Sequence, residues 1–289
     1  MTMLIMKKIP TDIDYAKALD YFIRHAGNYF KAHRLHAAVL GISGGLDSTV
    51  VAYIMHRTAG KLRSEGWDFT FVGISMPTET TAGQEFDNSN MVGRAFCDNF
   101  SVLDIGAEAR AIAIPEAGHS TDPLMQRKRA GNIKSRLRMI HLYDLAKAWG
   151  GLVVGTDNYT EYHLGYSTIG GDALFDYCPI QALWKTEIYG LAEHFLSVEK
   201  AEGHEDAVRA LQASIDIAPQ AGLGISANDC EEIGAPDYFV IDRILYNHVH
   251  NLPQDEDLAP EVIRSVTGLY DRNLFKKDLP VTISREELR

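Results

Sequence analysis

Cysteine is scarce. Cys97, Cys178 and Cys230 are the only three in 289 residues, and they lie far apart with no C-x-x-C pair. That pattern argues against a structural zinc site and a disulfide framework, and it fits a reducing cytoplasm. Long hydrophobic runs are missing too, so no segment approaches the length that crosses a bilayer. The start, Met1-Thr2-Met3-Leu4-Ile5-Met6-Lys7-Lys8, has an apolar stretch too short for a secretory leader, with its charge on the wrong side. Positive charge is also in short supply. With 28 Lys and Arg against 39 Asp and Glu, the formal net charge of −11 argues against a general nucleic-acid binder, which would usually show a basic face, and leaves room for a local basic pocket. Repeats and low-complexity tracts are absent. The chain reads as a soluble globular protein with room for one sizeable α/β domain and an appended lobe, or for two small domains.

Against this background one stretch carries specific chemistry. The apolar run Ala37-Ala38-Val39-Leu40 leads into Gly41-Ile42-Ser43-Gly44-Gly45-Leu46-Asp47-Ser48, and a helical pattern from Thr49 to Met55 leads out. Strand, tight polar loop and helix make a phosphate site. Gly44 and Gly45 admit positive φ and close backbone approach. The helix start offers unpaired N–H groups and the positive end of its dipole. Ser43 and Ser48 add hydroxyl donors. Asp47 would repel a bare phosphate, so it belongs there if it holds a divalent cation that bridges phosphates. An ordinary helix cap uses the same residue types, but S-G-G-x-D-S directly after an apolar strand favours the nucleotide.

Taken in order, residues 11–34 read as an amphipathic helix capped by Thr11 or Asp12, with Ile13, Ala16, Leu19, Phe22 and Ile23 on one face. Strands are expected at about 37–42, 69–75, 101–105 and 152–156, with helices at about 46–62 and 83–99 between them. Strands alternating with helices predict a parallel sheet, whose carboxyl edge is the usual place for a ligand. The loop Met76-Pro77-Thr78-Glu79-Thr80-Thr81 lies at that edge and suits a nucleotide base or a plain connection equally. Residues 106–126 read as irregular and mobile. The basic run from Arg127 to Met139 reads as a helix, with Asn132, Arg136 and Met139 on one face and Lys134 and Arg138 on another. It suits a multiply phosphorylated ligand, or a solvated face. The charged segment 197–210 reads as solvated, and His248 and His250 as surface or packing residues.

The loop Ser43-Gly44-Gly45-Leu46-Asp47-Ser48 resembles the pyrophosphate loop of the ATP pyrophosphatases. Further motifs are similar to the ammonia-dependent NAD synthetase family. They are Gly131-Asn132-x-Lys134-x-Arg136-x-Arg138-Met139, Gly155-Thr156-Asp157-x-x-x-Glu161, and Gly165-Tyr166-Ser167-Thr168 through Gly171-Asp172, Asp176 and Pro179 to Leu183-x-Lys185. Late in the chain come Pro219 to Leu223, Asn228 to Gly234, and Ile241-Asp242. The resemblance implies an α/β fold, a doubly wound, mostly parallel sheet flanked by helices, of the adenine nucleotide alpha-hydrolase or Rossmann-like kind. It implies a single domain over 1–289 that is mostly helical from about 185. It implies ATP-dependent amidation of deamido-NAD to NAD through an adenylate, with release of AMP and pyrophosphate. Ammonia would be free or supplied by a separate protein, since the chain has no room for a glutaminase.

For single residues the resemblance implies that Gly41, Ile42, Ser43, Gly44, Gly45, Leu46, Asp47 and Ser48 bind ATP, together with Thr156 and Lys185. Asp47 and Glu161 would hold Mg²⁺, and Arg136 and Asp176 would bind the dinucleotide. Asp47, Lys185 and Asp176 would serve catalysis, Asp176 as a base toward ammonium. It further implies a cytoplasmic homodimer with substrate sites at the subunit interface, and no nucleic-acid or membrane partner. Three positions depart from the family pattern. Ile169 stands where a substrate-contacting Lys is usual, Gln220 where an ATP-contacting Thr is usual, and Phe275 where a His is common. An ATP pyrophosphatase acting on another carboxylate, and a silent nucleotide-binding protein, therefore stay open as alternatives. Retention of Asp47, Glu161 and Lys185 speaks against the silent one.

Overall fold

The strand that enters the loop, β1 (Ala37–Gly41), is almost entirely buried on both faces, as a central parallel strand must be. In this computed structural model, which describes residues 9–81, 83–112, 122–217 and 229–288, it pairs with β2 (Thr70–Ser75) on one side and β4 (Gly151–Val154) on the other. β3 (Asn99–Val102) lies outside β2, so the order is β3-β2-β1-β4, with every pairing parallel. The chain moves outward from β1 through β2 to β3 and then returns to the opposite side of β1. That reversal opens a crevice at the carboxyl ends of β1 and β4.

Helices cover both faces. On one lie α1 (Tyr15–Ala32), α2 (Leu46–Ser64), α3 (Gly83–Phe96), α7 (Lys185–Glu202) and α8 (Glu205–Asp216); on the other lie α4 (Gly106–Ile112) and α5 (Pro123–Trp149). Alternation along β1 divides the core between them. Ala38 and Leu40 pack with Val50, Ile54, Phe71 and Phe195, while Val39 packs with Val72, Val153 and Ala146. α2 is buried over most of its length, which is why its apolar positions do not form a single stripe. A second core joins α6 (Tyr159–Leu164), α9 (Asp229–Ile233), α10 (Tyr238–Val249) and α11 (Pro260–Asn273) around Leu164, Trp184, Ile241, Ile244 and Val266. Among the described residues no helix is long and apolar enough to cross a membrane.

The expected elements recur with local corrections. α1 begins at Tyr15 and is capped by Asp14, whose carboxylate accepts from the Lys17 N–H, and not by Thr11 or Asp12. β3 ends at Val102 and not at 105. Its start is set where Asp98 Oδ2 accepts the Phe71 N–H (2.8 Å), and Asp104 then turns the chain by accepting the Gly106 N–H (2.7 Å). The stretch read as irregular holds α4 and the capped start of α5 at Asp122-Pro123, while 113–121 lies outside the described residues. Residues 1–8 and the motif at 219–223 with its Gln220 also lie outside them.

The segment 197–210 is not simply solvated. Glu199 is buried and accepts hydrogen bonds from Tyr53 (2.6 Å), Arg57 (3.1 Å) and His204 (2.7 Å). Glu199, Glu202 and His204 form the one three-residue group of suitable metal ligands among the described residues, and Arg57 already pairs with both carboxylates. His248 and His250 pack on Tyr270 and Tyr246, in keeping with the packing role read for them.

Candidate active site

A cleft of about 790 Å³ opens at the carboxyl edge of the sheet. Its floor is the end of β1 and the loop that follows. Gly44 takes φ +84°, which turns the chain so that Gly45 becomes the N-cap of α2. Ser43 Oγ accepts the Gly45 N–H (3.2 Å) and bonds Ser48 Oγ (2.9 Å), while Ser48 and Thr49 hydroxyls donate to the Gly45 carbonyl. The loop thus holds itself together and leaves the first N–H groups of α2 without acceptors inside the helix. Gly41, Ile42, Ser43, Gly45, Leu46, Asp47 and Ser48 all line the cleft; Gly44 does not, because it is turned against α3.

Three charged side chains meet above the loop. Lys185, at the first position of α7, is almost fully buried; its Nζ donates to Asp47 Oδ2 and lies 3.6 Å from Glu161 Oε1. Burial works to lower the Lys185 pKa, but Asp47 and Glu161 outweigh it and hold the ammonium well above its ordinary range. Burial pushes the Glu161 carboxyl well up; Lys185 opposes that and Asp47 adds to it. Asn158, fully buried at the N-cap of α6, ties the group together. Its Nδ2 donates to Asp47 Oδ1 (3.1 Å), and its Oδ1 accepts the Glu161 N–H (3.0 Å). This residue was missed in the sequence. The signal was there, an Asn three residues before Glu161 in capping position.

The far wall is α5. Asn132, Arg136 and Met139 share the cleft face, as the helical spacing predicts. Arg136 Nε donates to the Ile169 carbonyl (3.2 Å), and Asn132 Oδ1 accepts from Thr168 Oγ1 (2.9 Å). The basic run is less available than it looks. Lys134 is buried and donates to Thr80 Oγ1 (3.0 Å), and Arg138 donates to the Met76 carbonyl through Nε and Nη2 (both 3.2 Å). These two cations anchor the loop after β2, and Met76, Pro77 and Thr81 join the cleft wall. Thr156 lines the cleft after β4.

Asp176 is not brought to this cluster. The chain after Asp172 folds back to pair with β4, so Asp176 Oδ2 accepts the Val153 N–H (2.9 Å) and Oδ1 the Tyr143 hydroxyl (3.0 Å), with the residue exposed and outside the cleft lining. The carboxylate that does line the cleft is Asp172, whose Oδ1 accepts from Ser135 Oγ (2.7 Å) and the Thr168 N–H (2.8 Å). Ile169 lines the cleft beside it with its side chain partly exposed; Phe275 is exposed and outside. Its neighbour Lys276 points in and donates to the Gly165 (2.7 Å) and Ser167 (2.8 Å) carbonyls.

Asp157, after Thr156, is pushed up to about 7 by burial, against a weak hydrogen bond from Gln181 and with help from Asp172 and Asp47. Its folded pKa exceeds its unfolded one, so the stability it contributes is present at low pH and lost as pH rises from about 4 to 7. Asp157→Asn should therefore stabilise the nucleotide-free protein at pH 8, on the order of 2 kcal/mol, and do little at pH 4. Thermal melts at the two pH values check this; equal shifts would refute it.

The sheet, crevice and loop define the class: an α/β protein built to hold a polyphosphate at the carboxyl edge of a parallel sheet. The comparisons narrow it. The family model described as NAD synthase matches residues 16–280, and the chain belongs to that family. It is 31% identical over 276 residues to an NH(3)-dependent NAD(+) synthetase of Chlorobaculum parvum, covering 93% of this chain and 89% of that one. Among solved structures, NAD+ synthetase of Burkholderia pseudomallei is similar with a TM-score of 0.67 and 26% identity, covering 95% and 94% of the two chains. NMN synthetase of Francisella tularensis shares the fold with a TM-score of 0.76 at 21% identity, covering 94% and 100%.

Proposed function

We propose that this chain is a ligase that amidates deamido-NAD to NAD with ammonia, at the expense of ATP cleaved to AMP and pyrophosphate. The observation that carries this reading is the convergence of Asp47, Glu161 and Lys185 over the glycine loop. The loop and the α2 N-terminus would take the ATP phosphates, with Lys185 and Thr156 as further contacts. The substrate carboxylate would attack the α-phosphorus, forming an acyl–oxygen–phosphorus link as the bond to pyrophosphate breaks. Ammonia would then attack the acyl carbon, and AMP would leave. Lys185 neutralises charge where two anions must meet. Arg136 would contact the dinucleotide. Asp172, carboxylate in the cleft, replaces Asp176 as our choice for the proton released from the attacking nitrogen.

Mg²⁺ belongs to the same reading. Asp47 and Glu161 offer hard oxygen donors above a phosphate loop, and the buried Glu161 carboxylate gains from a cation, so the donor set fits. When bound there, the ion would spread the negative charge of the phosphates. We also propose a cytoplasmic homodimer. Asp176, exposed outside its own cleft, would meet a dinucleotide only if a second copy brought its cleft to it.

Ile169 favours a second reading, a smaller carboxylate acceptor, because a cation that would pair with the distal part of a dinucleotide is replaced by an apolar side chain on the cleft wall. Nicotinic acid mononucleotide is the acid to compare, given the NMN synthetase among the similar structures. Turnover with each acid at limiting concentration tests the two. Under the first reading deamido-NAD is preferred, and Ile169→Lys raises its kcat/KM by about tenfold, the worth of one added charge contact. A preference for the mononucleotide, with no gain from Ile169→Lys, would transfer the conclusion to the second.

A further inference from the structure

Lys185 and Glu161 stand on different helices, α7 and α6, and both are first-turn residues. Something must fix those two turns against each other. At the start of α7 the N-cap residue is Trp184, which has no side-chain oxygen to accept from the first turn. Its own N–H is taken by Glu187 Oε2 (2.9 Å). The N–H groups of Lys185 and Thr186 are satisfied from elsewhere. Lys185 N donates to Thr160 Oγ1 (2.9 Å), and Thr186 N donates to Asp242 Oδ2 (2.8 Å). Thr160 Oγ1 in turn donates to Asp242 Oδ1 (2.5 Å). Thr160 precedes Glu161, and Asp242 comes from α10, 56 residues beyond Thr186. Thr160 and Asp242 are both fully buried.

We propose that Asp242 is a positioning residue for the ATP-activating step, a carboxylate that caps α7 from a third helix and locks the Lys185 turn to the Glu161 turn. The inference rests on the reading of Lys185 and Glu161 given above. A carboxylate is required for a chemical reason. Both of its oxygens accept, one from a hydroxyl and one from a backbone N–H. In Asp242→Asn one oxygen becomes an NH₂ donor. Turned toward Thr186, it faces another donor. Turned toward Thr160, it can use only the second lone pair of that hydroxyl and leaves the hydroxyl proton without its acceptor. Either way one buried donor that holds the Lys185 turn loses its partner, with no change in side-chain volume. A negative charge at the positive end of α7 is lost as well. Since the charged groups of Lys185 and Glu161 lie 3.6 Å apart, a displacement of even half an ångström at either turn changes how both meet a phosphate.

The test is a double-mutant cycle of Asp242→Asn and Lys185→Ala in the full-length protein, read by AMP formation and by calorimetric Mg·ATP affinity, with folded fraction measured by circular dichroism. If Asp242 acts through Lys185, Asp242→Asn folds, loses roughly 10- to 100-fold in kcat and binds ATP more weakly, and the double variant is no worse than Lys185→Ala alone. Multiplicative losses, or a folded Asp242→Asn with unchanged turnover and ATP affinity, would overturn the proposal. Should Asp242→Asn fail to fold, Thr160→Val removes the same link from its other end and takes its place in the cycle. If the wild-type protein turns over neither acid, the acceptor reading has failed, and the positioning claim is still decided by the ATP affinities.

Discussion

Lys185→Ala is expected to abolish turnover, by about 10³-fold or more in kcat, while the protein stays folded. The side chain is almost fully buried, and its ammonium is held by Asp47 and faces Glu161 at 3.6 Å. Removing it strips the one described cation from a group of two carboxylates, at the place where a third anion and a polyphosphate must come together. Preorganised charge in a water-poor site carries several kcal/mol of transition-state stabilisation, which sets the scale of the loss. Lys185→Arg should fail nearly as badly. The longer, planar guanidinium does not fit a slot only 4% exposed that is shaped for a point charge. Rapid-quench measurement of AMP in a single turnover separates chemistry from product release. An alanine variant within tenfold of wild type would remove Lys185 from the mechanism.

Gly44→Ala is the second large effect, and it acts on structure first. At φ +84°, a Cβ on residue 44 would lie 2.4 Å from the Glu85 carbonyl oxygen and 2.6 Å from the Ser89 nitrogen. Both are backbone atoms of α3, so no side chain can swing aside, and either the loop or the helix must move. Alanine in the left-handed region adds about 1–2 kcal/mol, and relieving the clash adds a similar or larger amount. A melting temperature lower by about 6–12 °C follows for a domain of this size, with ATP binding lost as the loop shifts. Gly45→Ala makes the control. Its φ is −80°, and the nearest atom to a new Cβ is Ser43 Oγ at 3.4 Å. It should melt close to wild type yet bind ATP more weakly, because a methyl group then stands where the backbone meets phosphate. If both variants melted alike, the contrast drawn from α3 would be wrong.

What could be read in the chain and what could not divides along sequence distance. The strand, loop and first helix around Asp47 were legible because every cue is local: an apolar run, two glycines, and a helical pattern after Ser48. The face of α5 that carries Asn132, Arg136 and Met139 follows from helical periodicity alone. Lys134 and Arg138 sit on the same helix, but nothing nearby in the chain shows that Thr80 and the Met76 carbonyl will claim them. Asp176 stands away from its own cleft for the same reason. Its neighbours match a motif, but only the return of the chain onto β4 shows that its carboxylate accepts from Val153 and Tyr143 outside the cleft. Asn158 is legible only as the local cap before Glu161, and its hold on Asp47, like the hold of Asp242 on α7, is made through space between turns distant in sequence. Ile169 was visible as a departure, and its place on the cleft wall gives that departure a consequence, whereas Phe275 stands outside the wall.

The most direct test of the account is the product balance of the wild-type protein with ATP, Mg²⁺, ammonium and deamido-NAD, with AMP, ADP, pyrophosphate and NAD measured in one reaction. The account predicts AMP, pyrophosphate and NAD in equal amounts, no ADP, and no AMP when deamido-NAD is left out. ADP and phosphate in place of AMP and pyrophosphate, or AMP formed without any amide product, would contradict it.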